Sequence, residues 1–207
     1  MTRRAYLFET PDRFVAGTVG EPGARTFFLQ AREGTRIASV VLEKVQVAAL
    51  AQRLGDLLLE LVRRGVSVPT TVPAIAQDVA PLDEPLVELF RVGTLTIGWD
   101  PARELVVLEA LAMTDEDDEE QADEEDEEDA DPDDEEEDEE EFDLSDLVAD
   151  DSDGPDLLRV RITPAAAAGF VERAGRIVAA GRPPCPLCGR PLDPQGHLCP
   201  RKNGYLN

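Results

Sequence analysis

The chain has 207 residues, 42% of them hydrophobic, which is enough to bury the core of one domain with an appendage. Its formal net charge of −25 misrepresents that body, because residues 115–143 hold 24 acids and no lysine or arginine and leave the remainder close to neutral. No run approaches the roughly eighteen apolar residues of a membrane-spanning helix, and Met1-Thr2-Arg3-Arg4-Ala5-Tyr6 meets polar residues too early for an apolar signal segment, so the chain reads as cytoplasmic.

Taken in chain order, residues 6–9 are expected to form a short strand. Apolar runs at 13–19, 25–32 and 35–42 follow as three strands, separated by Glu21-Pro22-Gly23 and Glu33-Gly34-Thr35, both good turn chemistry. From about 44 to 64, Val47, Leu50, Ala51, Leu54, Leu57, Leu58 and Leu61 recur at helical spacing, and Gly65 stops the helix. Residues 86–97 and 103–112 are two further strands turning at Asp100-Pro101. The acidic tract comes next. Pro132, scattered alanines and one aromatic, Phe142, give it almost nothing to bury, so it cannot offset its ordering entropy and is expected to be disordered. A strand at 157–162 then leads to Thr163-Pro164, an N-cap and first-turn proline, and to a helix closed by Gly181.

An internal echo organises these elements. Phe14-Val15-Ala16-Gly17-Thr18-Val19 matches Phe90-Arg91-Val92-Gly93-Thr94-Leu95 at an offset of 76 residues, and Phe28-Leu29-Gln30-Ala31 matches Val107-Leu108-Glu109-Ala110 at 79. Val40-Val41-Leu42-Glu43-Lys44, followed by Leu50, Arg53 and Gly55, matches Val160-Arg161-Ile162-Thr163-Pro164, followed by Phe170, Arg173 and Gly175, at 120. The offset therefore jumps by 41 where the acidic tract lies, which marks the tract as an insertion into the second copy. The expected architecture is α+β: an antiparallel sheet with two helices on one face, built from a duplicated strand-strand-strand-helix unit over residues 1–113 and 157–181. Residues 114–156 are the insertion, leaving and re-entering at a hairpin tip, and 182–207 form a separate tail.

That tail carries the sharpest chemical signal. Cys185 and Cys188 flank Pro186-Leu187, and Cys199 lies two residues after His197, which commits all three cysteines and the one histidine to a single cluster. Two thiolates on a tight knuckle, with an imidazole and a third thiolate from a second turn, make the closed tetrahedral set of a structural Zn²⁺ site. Four protein ligands leave no open position for a reactive water. Zinc would fold a tail too rich in proline and glycine to have its own core. Arg182, Arg190, Arg201 and Lys202 ring the cluster with positive charge, which suits a protein or nucleic-acid contact.

Nothing else announces catalysis. The histidine is taken by the metal, no phosphate loop or nucleophile elbow is present, and no cysteine is left as a nucleophile. The acid, base or ion-pair candidates are Glu9, Asp12, Glu43 and Lys44, although acids at a strand-to-helix junction also simply start helices. The acidic tract could act as a tethered polyanion that covers a basic face formed by Arg3, Arg4, Arg13, Arg25 and the tail arginines, or merely as a solvated loop.

Several stretches together resemble a known family: Pro11-Asp12-Arg13-Phe14-Val15-Ala16-Gly17-Thr18-Val19-Gly20, Arg25-Thr26-Phe27-Phe28-Leu29-Gln30-Ala31, Leu42-Glu43-Lys44, and Cys185-Pro186-Leu187-Cys188 through Gly204-Tyr205. They are similar to an uncharacterised actinobacterial domain-of-unknown-function family, number 3090, over nearly the whole chain except the acidic tract. The resemblance implies a soluble cytoplasmic actinobacterial protein and brings no activity, substrate or catalytic residue.

The reading of the sequence is a zinc-stabilised cytosolic binding or adaptor protein that contacts a protein or nucleic-acid partner. The rival is an enzyme or small anionic ligand binder with its site between the two repeats. A concave pocket holding Arg13, Arg25 or Lys44 beside a carboxylate of perturbed pKa favours the rival, whereas carboxylates that only cap helices favour the binding module. An uncovered sheet edge or apolar face would favour a homodimer.

Overall fold

The computed structural model describes residues 3–21, 23–68, 78–114, 154–180 and 187. The elements are β1 (Ala5–Phe8), β2 (Arg13–Val19), β3 (Thr26–Glu33), β4 (Arg36–Leu42), α1 (Lys44–Arg63), β5 (Glu88–Asp100), β6 (Leu105–Ala112), β7 (Leu157–Ile162) and α2 (Pro164–Ala179). The fold is α+β, a seven-stranded sheet with two helices, and the strands run β1-β7-β6-β5-β4-β3-β2 across it.

Local chemistry accounts for the boundaries. Gly34, at φ 60°, occupies the first position of a two-residue turn, so β3 and β4 close tightly on the Glu33–Arg36 pair. α1 begins where the Glu43 N–H donates to Gln46 Oε1 at 2.9 Å, and α2 begins where Thr163 Oγ1 accepts from the Ala166 N–H at 3.2 Å, ahead of Pro164 at the first turn. α1 buries Val47, Leu50, Leu54, Leu58 and Leu61, one stripe at 3- and 4-residue spacing; α2 buries Ala167, Phe170 and Ala174 in the same way. These stripes meet the sheet face made by alternate residues such as Leu29, Val40, Leu108 and Val160, all essentially inaccessible to solvent.

The sheet is mixed, which corrects the expectation of a purely antiparallel one. β2-β3-β4 and β5-β6-β7 are antiparallel meanders, but β4 pairs with β5 in parallel and β1 pairs with β7 in parallel. The reason is connectivity. A strand that follows a helix crossover returns in the direction of the strand before it, and α1 with the segment after it is such a crossover. β5 also runs to Asp100, beyond the expected end at 97, before the chain turns.

The sheet cannot be flat. β1 and β2 lie at opposite edges, about 29 Å apart in an untwisted sheet with strands about 4.8 Å apart, yet only residues 9–12 join them, a reach of at most about 18 Å. Accumulated right-handed twist brings the edges round. The Arg36 guanidinium sits 4.9 Å from the Phe8 ring centroid, and its Nη2 donates to the Leu7 carbonyl at 2.8 Å, tying β1 to the start of β4. In the same way α2, which follows β7, packs on β2: the Phe170 and Phe14 rings stack at 5.0 Å.

β6 and β7 are antiparallel neighbours paired out to Leu111 and Leu157, and the Ala112 N–H donates to the Asp156 carbonyl at 2.8 Å. The acid-rich insertion therefore joins the ends of two adjacent strands. The expectation of disorder for it falls on residues that lie almost wholly outside the described ones, and so does the zinc cluster of Cys185, Cys188, His197 and Cys199. Among the described residues, no helix is long and apolar enough to cross a membrane.

Candidate functional site

The most heavily constructed part of the surface is the outer edge of β2. The β3–β4 turn sets its phase. A two-residue hairpin closes on a hydrogen-bonded pair, so on β3 the odd-numbered residues bond β4 and the even-numbered ones bond β2. Through the β2–β3 register, Arg13, Val15, Gly17 and Val19 turn their backbone groups toward β3, while Phe14, Ala16 and Thr18 turn theirs outward. Arg173 on α2 agrees with this phase, since its Nε donates 2.6 Å to the Ala16 carbonyl.

Residues 78–86 form a strap around that edge. On the helix side, Arg173 Nη1 donates to the Asp78 carbonyl at 2.7 Å and to Asp78 Oδ1 at 2.9 Å, and Nη2 donates to the Ala80 carbonyl at 2.8 Å. From the opposite sheet face, Arg13 Nε and Nη2 form a fork on the same carboxylate at 2.5 and 3.0 Å, and Nη2 also reaches the carbonyls of Ala80 and Pro81. Arg13 Nη1 and Arg32 Nε lie 3.0 and 3.2 Å from Asp83 Oδ2, ion-pair contacts whose angles fall outside hydrogen-bond range. Farther in, the buried Gln30 side chain acts like a short piece of strand: Nε2 donates to the Asp83 carbonyl at 3.0 Å and Oε1 accepts from the Asp83 N–H at 2.7 Å. Gln30 Nε2 also donates to Ser39 Oγ at 3.0 Å. Leu82 closes over Gly17 so tightly that a Cβ there would stand 2.6 Å from Leu82 Cγ.

The electrostatics follow from this geometry. Hydrogen bonds from the Arg13 guanidinium hold the Asp78 carboxyl below the usual carboxylate range, and the same bonds raise Arg13. Burial lowers Arg173, whose side chain is only 8% exposed.

Beyond the clamp, between strap, β2 and α2, lies a cleft of ≈ 320 Å³. Gly17, Val19, Val79, Leu82, Leu86 and Ile177 make it mainly apolar, with Arg173 and Glu84 as its charged residues. Arg173 enters with all three nitrogens already bonded to protein oxygens. Val19 and Val79 are exposed at its mouth.

A second polar pair occupies the non-helical face. Glu109 of β6, 7% exposed, accepts from Arg159 of β7 directly across the strand pair, and Arg161 two residues on donates to Glu9.

The residues singled out in the sequence do not converge. Glu9 pairs with Arg161; Asp12 Oδ2 accepts from the Gly34 N–H at 2.6 Å; Glu43 starts α1 and binds Arg91 at 2.6 Å; Lys44 is exposed on the first turn of α1. None lines the cleft. Of the basic face expected from Arg3, Arg4, Arg13, Arg25 and the tail arginines, the tail arginines lie outside the described residues. Arg13 is held in the clamp, the Arg25 side chain donates to the Ala180 carbonyl, and the Arg4 backbone N–H donates to Asp156 at the root of the acidic insertion. Asp78, Asp83, Gln30 and Arg173 were missed as a group. Two signals pointed to them: Gln30 interrupts the apolar run of β3, and Arg173 falls on the buried stripe of α2.

The chain belongs to the family described as protein of unknown function, DUF3090, whose profile matches residues 6–199. No curated protein and no solved structure matches it.

Proposed function

We propose that this member of the family is a zinc-stabilised binding or adaptor protein of the actinobacterial cytosol, contacting a protein or nucleic-acid partner without catalysing a reaction. The observation that carries the reading is the state of the cleft. Its one basic residue, Arg173, spends Nη1 and Nη2 on holding the strap and Nε on the Ala16 carbonyl of β2, and the Asp78 carboxylate behind it is neutralised by two guanidiniums. A general base needs a pKa near the working pH, and Asp78 is shifted the opposite way. What remains is an apolar recess beside a strand edge, which suits recognition by contact.

The zinc part of the proposal rests on Cys185, Cys188, His197 and Cys199, with the metal as a structural Zn²⁺ that folds the tail. The duplication part rests on register. The matched positions Leu29 and Leu108, Val40 and Val160, and Leu50 and Phe170 all occupy the core. The polar pair Gln30–Ser39 in the first unit and Glu109–Arg159 in the second sit directly opposite across the same two strands of each unit. Two tandem copies of a βββα unit, with the acidic segment inserted in the second, account for both.

Native mass spectrometry of the protein purified from its own cytosol, without added metal or chelator, tests the reading. One zinc per chain and no small molecule is the expected result. A metal-free chain removes the zinc site, and a co-purifying small molecule turns the cleft into a ligand pocket and overturns the binding reading.

A further inference from the structure

α1 carries more apolar surface than its own core uses. Val47, Leu50, Leu54, Leu58 and Leu61 make the buried stripe. Beside it runs a second seam, Val45, Ala48, Gln52, Gly55, Leu59 and Val62, in which no residue is charged and all but Gly55 are exposed, Val45 at 73%, Leu59 at 59% and Val62 at 44%. Its steps are three, four, three, four and three residues, the spacing with which one helix seats against another. The outward face of a helix that needs no partner is normally polar or charged. Gly55 sharpens the point. Glycine inside a helix is destabilising relative to alanine, and a Cβ at Gly55 would meet nothing within 4 Å, so the packing of α1 on its own sheet does not call for it.

The seam is symmetric about its centre. In two antiparallel copies of α1 related by a twofold axis between Arg53 and Leu54, Val45 lies opposite Val62, Ala48 opposite Leu59 and Gln52 opposite Gly55. The two larger side chains, Leu59 and Gln52, each face a small residue, and valines close both ends. Charge follows the same axis. Arg53 and Asp56, both exposed, flank the seam on one side, and the pairing sets Arg53 of one copy about 3 Å along the helix axis from Asp56 of the other, twice in one interface. α2 packs against α1, and its exposed positions include Ala165, Ala166, Gly175 and Ala179, too short to hold a second copy away. Two helices each about 10 Å wide, over the roughly 27 Å from residue 45 to 62, offer about 540 Å² per subunit, near the lower limit of a specific interface, so the association is reversible.

We infer that two copies of this chain pair through α1, antiparallel, along the seam from Val45 to Val62, with Arg53 of each copy set against Asp56 of the other. The dimer uses neither the zinc cluster nor the cleft between strap, β2 and α2, so it stands or falls separately from the binding reading above.

Light scattering on the full-length protein, which reads mass independently of shape, tests this across protein concentration at about 0.15 M salt. The mass of the natural sequence climbs from one chain toward two, and Leu59→Glu raises the dissociation constant about tenfold or more. Gly55→Leu does the same with the fold kept, since it improves helix propensity and enters open space in the single chain while striking Gln52 of the second copy. Arg53→Asp and Asp56→Arg each set like charges across the axis and weaken pairing alone. Mixed in equal amounts, they bring opposite charges together at both contacts and form a one-to-one dimer, a result that no effect within a single chain produces. A mass of one chain at every concentration overturns the inference. So does a dimer that Leu59→Glu and Gly55→Leu leave unchanged, which places the contact on another face, and so does a mixture of the two charge variants that pairs no better than either alone.

Discussion

Arg173 near the end of the second helix donates 2.6 Å to the carbonyl of Ala16 on the first long strand, across 157 residues of sequence. The bond fastens α2 to the outer edge of the sheet. It joins the last described element to an edge strand near the start of the chain and caps a carbonyl that would otherwise be a template for edge-to-edge pairing. The same guanidinium holds the strap, so edge protection and strap position share one residue.

Replacing Arg173 with methionine keeps the apolar stem and removes the fork. The carbonyls of Ala16, Asp78 and Ala80 lose charged donors, and the expected loss is about 2–4 kcal/mol of unfolding free energy. Arg173→Lys should recover less than half, because one ammonium cannot span acceptors on both strand and strap. Urea unfolding of the three proteins measures this, and a loss for Arg173→Met inside about 0.5 kcal/mol would make the clamp ornamental.

The Asp78 carboxylate sets the acid limit of the same region. Its folded pKa is depressed, chiefly by the Arg13 hydrogen bonds, so its contribution is complete above the unfolded value of about 3.9 and is lost as pH falls through the lower folded value. Glu60 and Asp100 are also depressed, by Arg64 and Arg103, but both guanidiniums are exposed and solvent screens the pairs. Stability should therefore be flat through the neutral range and decay below about pH 4. Asp78→Asn should lower the plateau by about 2 kcal/mol, discounted for the partial exposure of the carboxylate, and shrink the acid limb. Unfolding midpoints across pH check both; an acid limb unchanged in the variant would assign it elsewhere.

Most of the fold was legible because its periodicities are undisturbed. The Leu50–Leu54–Leu58–Leu61 stripe marks a helix and the short apolar runs of β3, β4 and β6 mark strands, and Gly34-Thr35 sets a register that carries through to β2. The parallel seams were not legible, because apolar runs carry no sign of direction. The clamp was hidden for a related reason. Asp78 and Asp83 lie in a connecting segment without periodicity, and only the wrapping of the strap around β2 brings them to Arg13 and Arg173. Glu43 and Asp12 drew attention as acid, base or ion-pair candidates; Glu43 starts α1 and pairs with Arg91, and Asp12 holds the Gly34 turn.

Gly17 is small for the sake of the strap. A Cβ would meet Leu82 Cγ and Cδ2 at 2.6 Å, below any real contact, so Gly17→Ala should displace the strap and cost about 1–3 kcal/mol. Leu82→Ala costs stability alone by emptying the space over β2. Combined, the two should cost less than their sum, since the alanine at 82 removes the atoms that the new Cβ strikes. A double-mutant cycle by thermal or urea unfolding gives the coupling, and strict additivity would mean that the two residues do not press on each other.

Chelation should separate tail from core. If Cys185, Cys188, His197 and Cys199 hold zinc, a strong chelator removes one metal and increases the exchange of tail amides, while the sheet and its unfolding transition persist, because among the described residues the core is filled by side chains of the sheet and the two helices. Cys185→Ser should behave as the chelated protein does. A core transition that collapses on chelation would place the metal in the fold itself.

Cutting the acidic insertion should leave the domain standing. Its two ends are fixed by the β6–β7 ladder, which pairs Leu111 with Leu157 and continues inward to Val106 and Ile162, and by the Arg4 contacts with Asp156 and Leu157. A cleavage within residues 115–153 turns one chain into two fragments that share a seven-stranded sheet, with the C-terminal fragment supplying β7 between β1 and β6 and the clamp residue Arg173. Removing a loop constraint raises the entropy of the unfolded chain only, and the fragments should co-migrate in gel filtration until denaturant is added. Digestion with a glutamate-specific protease, followed by gel filtration and mass analysis, decides it. Spontaneous dissociation of the two pieces would show that the loop, and not the packing of β7 and α2, holds the second half in place.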